Sequence, residues 1–187
     1  PLGIAATAAP SLELGTGIAV AFARSPMVVA QTAWDLAAAS GGRFILGLGT
    51  QVKGHIERRF GFKWSSPGTW MREYVQAMRA VWHSWQTGAA LDFRGEHYRL
   101  NLIVPLFDPG PIEHPDIPIY IAAVNPDMAG LGGELCDGLR VHPISTFRHG
   151  REVLIPTIRK GARRAGRELS DIDVVGSPFL AVSRDEE

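Results

Sequence analysis

Cysteine is nearly absent: Cys136 is the one thiol in 187 residues. No internal disulfide can form, and the usage fits a reducing compartment, the cytoplasm. Net charge is absent too. Lysine and arginine total 19, as do aspartate and glutamate, so no global field draws the chain to nucleic acid or an anionic membrane. No apolar run is long enough to span a bilayer. The first residues, Pro1-Leu2-Gly3-Ile4, lack the basic stretch that begins a signal peptide. The expected partner is a small-molecule substrate, with no nucleic acid and no membrane.

The common catalytic signatures are also missing. There is no Walker motif, no G-x-G-x-x-G opening a helix and no G-x-S-x-G elbow. No histidine, cysteine and carboxylate group has metal-ligand spacing, so no metal is expected. Cys136 has no evident activating base and reads as a buried structural thiol. An enzyme this poor in catalytic side chains would let a cofactor carry the chemistry.

What is present alternates. Hydrophobic residues make up 45% of the chain, enough for one domain with a real core. Leu12 to Phe22 reads as a buried strand, in which Gly15 and Gly17 admit a close backbone or ligand. Ser25-Pro26 opens a helix with serine as N-cap and proline at the first position. Ser40-Gly41-Gly42 closes it. Phe44 to Leu48 is apolar on both faces, as a strand covered on both sides must be, and Gly49-Thr50-Gln51 follows it. His55 to Phe60 suggests one or two helical turns, and Gly61 to Gly68 a loop. Thr69 is the expected cap of a long helix, whose Met71, Tyr74, Val75, Met78, Val81, Trp82 and Trp85 recur at three and four residues.

Leu91 to Leu100 alternates around Arg94-Gly95-Glu96 like a hairpin. The proline-rich stretch Asn101 to Pro118 reads as a surface excursion. A strand over Ile119–Ala123 leads to a helix that starts at Asn125-Pro126 and runs to about Leu135. Leu139 to His142 is a further strand. Thr146 to about Ala165 is an amphipathic helix in which Pro156 demands a kink or a late start. Ile172 to Val182 is the last strand. Ile4 to Ala9 looks like the final turns of a helix and Ser183 to Glu187 like the start of one, so both ends read as cut from a longer chain. The alternation predicts an α/β protein with a parallel sheet. Doubly wound sheet and (β/α)₈ barrel are both allowed. Residues 1–187 read as one domain, with a loop and hairpin insertion at about 87–118.

Sites in such folds lie beyond the carboxyl ends of strands. Three strand ends qualify: Gly17 to Ala21, Gly49-Thr50-Gln51, and Ala123-Val124-Asn125-Pro126. The third is the best anion site, because the start of a helix offers free N–H groups and the positive end of its dipole. The alternative for Asn125 is a plain helix cap, and for Gly49-Thr50 plain turn geometry. His55 and His142 are the titratable candidates, with His142 facing the mouth of the sheet. Trp64 and Trp70 could line a pocket for a flat ligand or simply pack. His83, His97, His114 and His149 read as surface residues.

Several stretches resemble one family in order along the chain. They are Leu14-Gly15-Thr16-Gly17-Ile18, Arg24-Ser25-Pro26-Met27, Ser40-Gly41-Gly42-Arg43-Phe44-Ile45-Leu46-Gly47-Leu48-Gly49, Pro118-Ile119-Tyr120-Ile121-Ala122 and Cys136-Asp137-Gly138. They are similar to the luciferase-like flavin and deazaflavin oxidoreductases. Gly49-Thr50-Gln51 and Val124-Asn125-Pro126 look most like the branch that uses the deazaflavin coenzyme F-420. The resemblance implies a (β/α)₈ TIM barrel of bacterial luciferase type, often dimeric, of which this chain would cover about strands three to seven. The full-length protein is thus expected to be a homodimer.

The resemblance also implies roles. Gly17 and Ile18 match a non-proline cis peptide against the coenzyme ring. Thr50 and Gln51 match the loop that contacts the coenzyme, and His55 a polar contact further along. Val124 and Asn125 match the turn that receives its phosphate. Val52 departs from the pattern: relatives that oxidise glucose 6-phosphate carry a catalytic glutamate at the matching place. The expected activity is hydride transfer between coenzyme F-420 and an organic substrate. One alternative is an FMN-dependent monooxygenase, and another is a barrel without catalysis that acts in binding or assembly.

Overall fold

The computed structural model describes residues 1–176 and Val182. The chain opens with helix α1 (Leu2–Ala8), followed by two short strands, β1 (Leu14–Gly15) and β2 (Ala19–Val20). Helix α2 (Pro26–Ser40) leads to β3 (Phe44–Gly49), and then α3 (Lys53–Arg58) and α4 (Pro67–Thr87) follow. A small hairpin, β4 (Phe93–Arg94) and β5 (Arg99–Leu100), opens the excursion that returns at β6 (Ile119–Ala123). The remaining elements are α5 (Pro126–Leu135), β7 (Gly138–Val141), α6 (Phe147–His149), α7 (Ile155–Arg164) and β8 (Asp173–Gly176).

All strands outside the hairpin are parallel and form one sheet in the order β1/β2, β3, β6, β7, β8. Strand–helix–strand units between parallel neighbours give this order, and the curled sheet is part of a (β/α)₈ barrel. No helix among the described residues is long and apolar enough to cross a membrane.

Helix ends follow the local chemistry. Ser25 Oγ accepts the Met27 N–H at 3.2 Å ahead of Pro26. Gly41, at φ 61°, closes α2 in the left-handed conformation that suits glycine. Asn125 Oδ1 accepts the Met128 N–H at 2.9 Å and caps α5. Thr146 caps α6 through the His149 N–H. A π-helical segment, Gly150–Leu154, joins α6 to α7 and precedes Pro156. It spares the chain the bond that proline cannot donate.

Several boundaries differ from expectation. Helix α4 begins at Pro67, inside the stretch expected as loop, because proline suits the first helical position. Thr69 does not cap it; its hydroxyl donates back to the Ser66 carbonyl at 3.2 Å. The first expected strand is broken. Gly15 pairs with Ile45 and Ala19 with Leu48, so four steps on one side oppose three on the other. That is a one-residue bulge. The last strand is described as far as Gly176, and the helix start expected from Ser183 lies outside the described residues.

The core lies between the sheet and its helices. Phe44, Leu46 and Leu48 of β3, Ile119 and Ile121 of β6 and Leu139 of β7 are all buried there. They pack with Trp34 and Ala37 of α2 and Tyr74 and Met78 of α4 in one cluster. Burying each large side chain contributes about 1.5–3 kcal/mol. Helices α5 and α7 cross closely through glycine: a Cβ on Gly161 would stand 2.0 Å from the Gly130 carbonyl oxygen.

Candidate functional site

In a parallel sheet every strand ends on the same rim, so the carboxyl ends of β2, β3, β6 and β7 lie side by side. The bulge is at this rim. The peptide bond between Gly17 and Ile18 is cis, as the resemblance implies. Thr16 Oγ1 donates to the Gly47 carbonyl at 2.6 Å and ties the bulge to β3. Gly49 makes room beside it: a Cβ there would stand 2.6 Å from Ile18 Cδ1. Gly49 therefore does more than turn the chain, because it seats the Ile18 side chain.

The β3 loop is tightly wound. Thr50 Oγ1 donates to the Gln51 carbonyl at 2.9 Å. Gln51 has φ 59°, the one positive φ outside glycine among the described residues. A left-handed residue with a side chain costs about 1 kcal/mol or more, and such residues gather at functional sites. Val52 beyond it is exposed.

On the neighbouring strand, β6, the rim continues at Val124 and Asn125. Asn125 does cap α5, which was the plain alternative for it. The consequence for an anion is specific. Pro126 has no N–H and the Met128 N–H is taken by the cap, so the Asp127 N–H is the first-turn donor left for a ligand. His149 also stands here, with its Nε2 3.1 Å from the Val124 carbonyl oxygen. A carbonyl can only accept, so Nε2 carries the proton. His149 had read as a surface residue; neither the Thr146 cap that sets its position nor its approach to β6 was foreseen.

The other expected residues divide. His142 follows β7 on the rim and is exposed, its Nδ1 accepting the Ile144 N–H at 3.3 Å. His55 is exposed in α3, just beyond the Gln51 loop. Trp64 is partly buried in aromatic packing, edge-on to Phe22 at 5.9 Å. Trp70 stacks on the same Phe22 at 3.9 Å and gives its indole N–H to the Tyr98 hydroxyl at 2.6 Å. Packing is the role the structure gives both tryptophans.

Below the rim, on the face of the sheet away from the helices, is a polar group that the sequence did not suggest. Tyr120 of β6 donates to the carboxylate of Asp173 on β8. Burial pushes its phenol up to about 12, and the Asp173 hydrogen bond and charge add to the shift. Arg140 of β7 lies on the same face, its guanidinium carbon 6.0 Å from the Tyr120 ring centroid. Three glycines leave space for it. A Cβ on Gly47 would stand 3.3 Å from Arg140 Nε, one on Gly15 3.4 Å from Nη2, and one on Gly17 4.0 Å from Nη1. The available signal was a charged residue at mid-strand, at an alternating position from Leu139.

The residues thus fit a flat, partly anionic group resting on the bulge. Gly47 and Gly49 let Thr16 and Ile18 of the bulge lie close on β3, and Arg140 brings positive charge beneath.

Comparison with known proteins agrees with this architecture. An uncharacterized protein of Mycobacterium tuberculosis is 45% identical over 186 residues, spanning 100% of this chain and 55% of that protein. The 5,10-methylenetetrahydromethanopterin reductase of Archaeoglobus fulgidus is 31% identical over 186 residues, 100% of this chain and 52% of the reductase. The solved coenzyme F420 dependent tetrahydromethanopterin reductase of Methanopyrus kandleri superposes with a TM-score of 0.81 at 27% identity. That superposition covers 99% of this chain and 55% of the reductase chain. The chain spans about half the length of the relatives it matches. From residue 1 to residue 187 it matches the family described as Luciferase-like monooxygenase, and it belongs to that family.

Proposed function

We propose that this chain is the coenzyme-holding part of an F-420-dependent oxidoreductase that moves a hydride between the deazaflavin and a small organic substrate. The observation that carries this is the rim itself. The bulge at Gly17–Ile18 rests on Gly49, and the capped start of α5 stands on the adjoining strand end. The likeness to reductases of Archaeoglobus and Methanopyrus, the second described as coenzyme F420 dependent, favours F-420 over other flat cofactors.

Gly17 and Ile18 would support the ring, Thr50 and Gln51 would contact it, and Val124 and Asn125 would face its phosphate. His55, His142 and His149 flank the opening. When bound, the coenzyme supplies the hydride chemistry. The chain's own part is to hold the ring at the bulge, fix its orientation and present charge beneath it. Val52 gives no carboxylate for proton removal, so a mechanism that needs a glutamate there does not apply. A second reading follows from the family's own description as monooxygenases: the same rim would hold FMN.

Titration of the full-length protein with each cofactor separates the two. Tight F-420 binding with weak FMN binding is expected, and FMN binding alone would overturn the proposal. Replacing Asn125 with leucine should lower stability by about 1 kcal/mol, the worth of a cap, and weaken F-420 by more than that loss of folding explains. Equal losses would leave Asn125 a cap and nothing more.

A further inference from the structure

Arg140 is a permanent cation on an inward strand position, and the described residues do not neutralise it. Its Nε is buried with no hydrogen-bond partner among them, and no carboxylate among them lies within ion-pair distance. Asp173 is the nearest candidate on β8 by register, since Arg140 pairs with Val175 two residues on. The Asp173 carboxylate, however, is taken by the Tyr120 hydroxyl. Arg140 as a whole is half-buried, but leaving its buried Nε unpaired costs about 1–3 kcal/mol. Glycine at positions 15, 17 and 47 lets the guanidinium lie close against the neighbouring strands beneath the bulge. A half-buried cation with an unpartnered nitrogen next to the bulge is suited to receive negative charge.

Resting on the F-420 reading above, we propose that Arg140 receives the negative charge that hydride transfer places on the coenzyme ring. The balance is simple. A C–H bond of the organic donor breaks and a C–H bond forms on the ring carbon. The donor carbon loses two electrons and is oxidised, and the donor's ionisable proton leaves to solvent. The ring gains two electrons and one proton, so its net charge falls by one, and that charge spreads over the ring's carbonyl oxygen and nitrogen. A guanidinium beneath the bulge stabilises the reduced, anionic ring more than the oxidised one. Arg140 therefore sets the ratio of the two affinities, and with it the potential of the bound coenzyme.

The test uses full-length protein and both redox forms of F-420. For Arg140→Gln, affinity for the reduced form should fall at least about tenfold more than affinity for the oxidised form. That ratio corresponds to a midpoint about 30 mV lower for a two-electron couple. Arg140→Lys should keep most of the wild-type ratio. A ratio unchanged within about twofold in Arg140→Gln overturns the proposal and leaves the F-420 reading standing. Wild-type protein that binds neither form overturns both, in the same titration. Should Arg140→Gln fail to fold, the wild type still decides. Its bound reduced coenzyme should lose the ring proton at a pH at least about one unit below that of the free coenzyme, followed by absorbance. An unshifted or raised value overturns the proposal.

Discussion

On β3, β6 and β7, residues that face the helices and residues that face the barrel interior differ in kind. Toward the helices stand Leu46, Leu48, Ile119, Ile121 and Leu139, each buried. Toward the interior, at the alternate positions, stand Gly47, Gly49, Tyr120, Gly138 and Arg140. The first set is purely apolar, whereas in the second glycines make room for Ile18, Tyr120 and Arg140. Close packing on the outer side holds the strands. On the inner side, glycines seat larger neighbours and polar groups gather at Tyr120, Asp173 and Arg140. On the proposed reading, stability and binding fall to opposite faces of one sheet, alternating residue by residue.

The largest test of that division is Leu139→Ala. Leu139 is fully buried, and its Cδ1 fills the place where a side chain on Gly132 of α5 would otherwise stand. Truncation leaves a cavity and should cost about 3 kcal/mol, within the range for buried leucine. Chemical denaturation of the full-length protein would measure it. At temperatures where the variant stays folded, F-420 affinity should change less than twofold. A large loss of affinity in a folded variant would show that the two faces are not independent.

The outer face was far more legible in the sequence than the inner one. Apolar residues at three and four in Met71 to Trp85, and the apolar run Phe44 to Leu48, marked the helices and strands that pack. The caps at Ser25 and Asn125 were legible in the sequence, whereas Thr69, read as a cap, lies inside α4 and does not cap it. Glycine and proline misled at one point, Ser66-Pro67, where the same pair serves a loop or a helix start. The inner face was nearly silent. Tyr120 and Arg140 are single residues within strands, and their partners come from other strands through register that no local pattern encodes. His149 is the same case, since its contact with Val124 spans 25 positions. The rim was found through its glycines, the cis peptide beside it only through family resemblance, and the break in its strand not at all.

Gly49→Ala probes the inner face with a smaller effect on folding. The new Cβ would meet Ile18 Cδ1, the far end of a flexible side chain rather than backbone. Ile18 can move aside at a cost of about 1 kcal/mol. The cost to ligand should be larger, because Ile18 then enters the space above the bulge. F-420 binding, followed by fluorescence, should weaken on the order of tenfold, which is about 1.4 kcal/mol. A variant that loses stability without losing affinity would return Gly49 to a purely structural role.

The smallest effect belongs to the outermost layer. Arg72 of α4 and Glu134 of α5 form a two-pronged ion pair, with Nη1–Oε1 at 2.6 Å and Nη2–Oε2 at 2.9 Å. The hydrogen bonds from Arg72 hold the Glu134 carboxyl below its ordinary value, against the opposing effect of burial. With side-chain exposures of 35% and 21%, the pair is screened by solvent, so Glu134→Gln should cost only about 0.5–1 kcal/mol at neutral pH. The sign of its pH dependence follows from the lowered value. The carboxylate's contribution is complete above the unfolded value of about 4.3 and is lost as pH falls through the depressed folded value. Thermal melts of wild type and variant should therefore differ by a constant amount from pH 7 to about pH 5 and converge as pH falls through the depressed folded value. The F-420 affinity of the two proteins should coincide throughout, because α4 and α5 meet on the helix side of the sheet. A difference in affinity that follows the same titration would couple this outer contact to the rim through the Asn125 end of α5, and the separation of the two faces would fail at that helix.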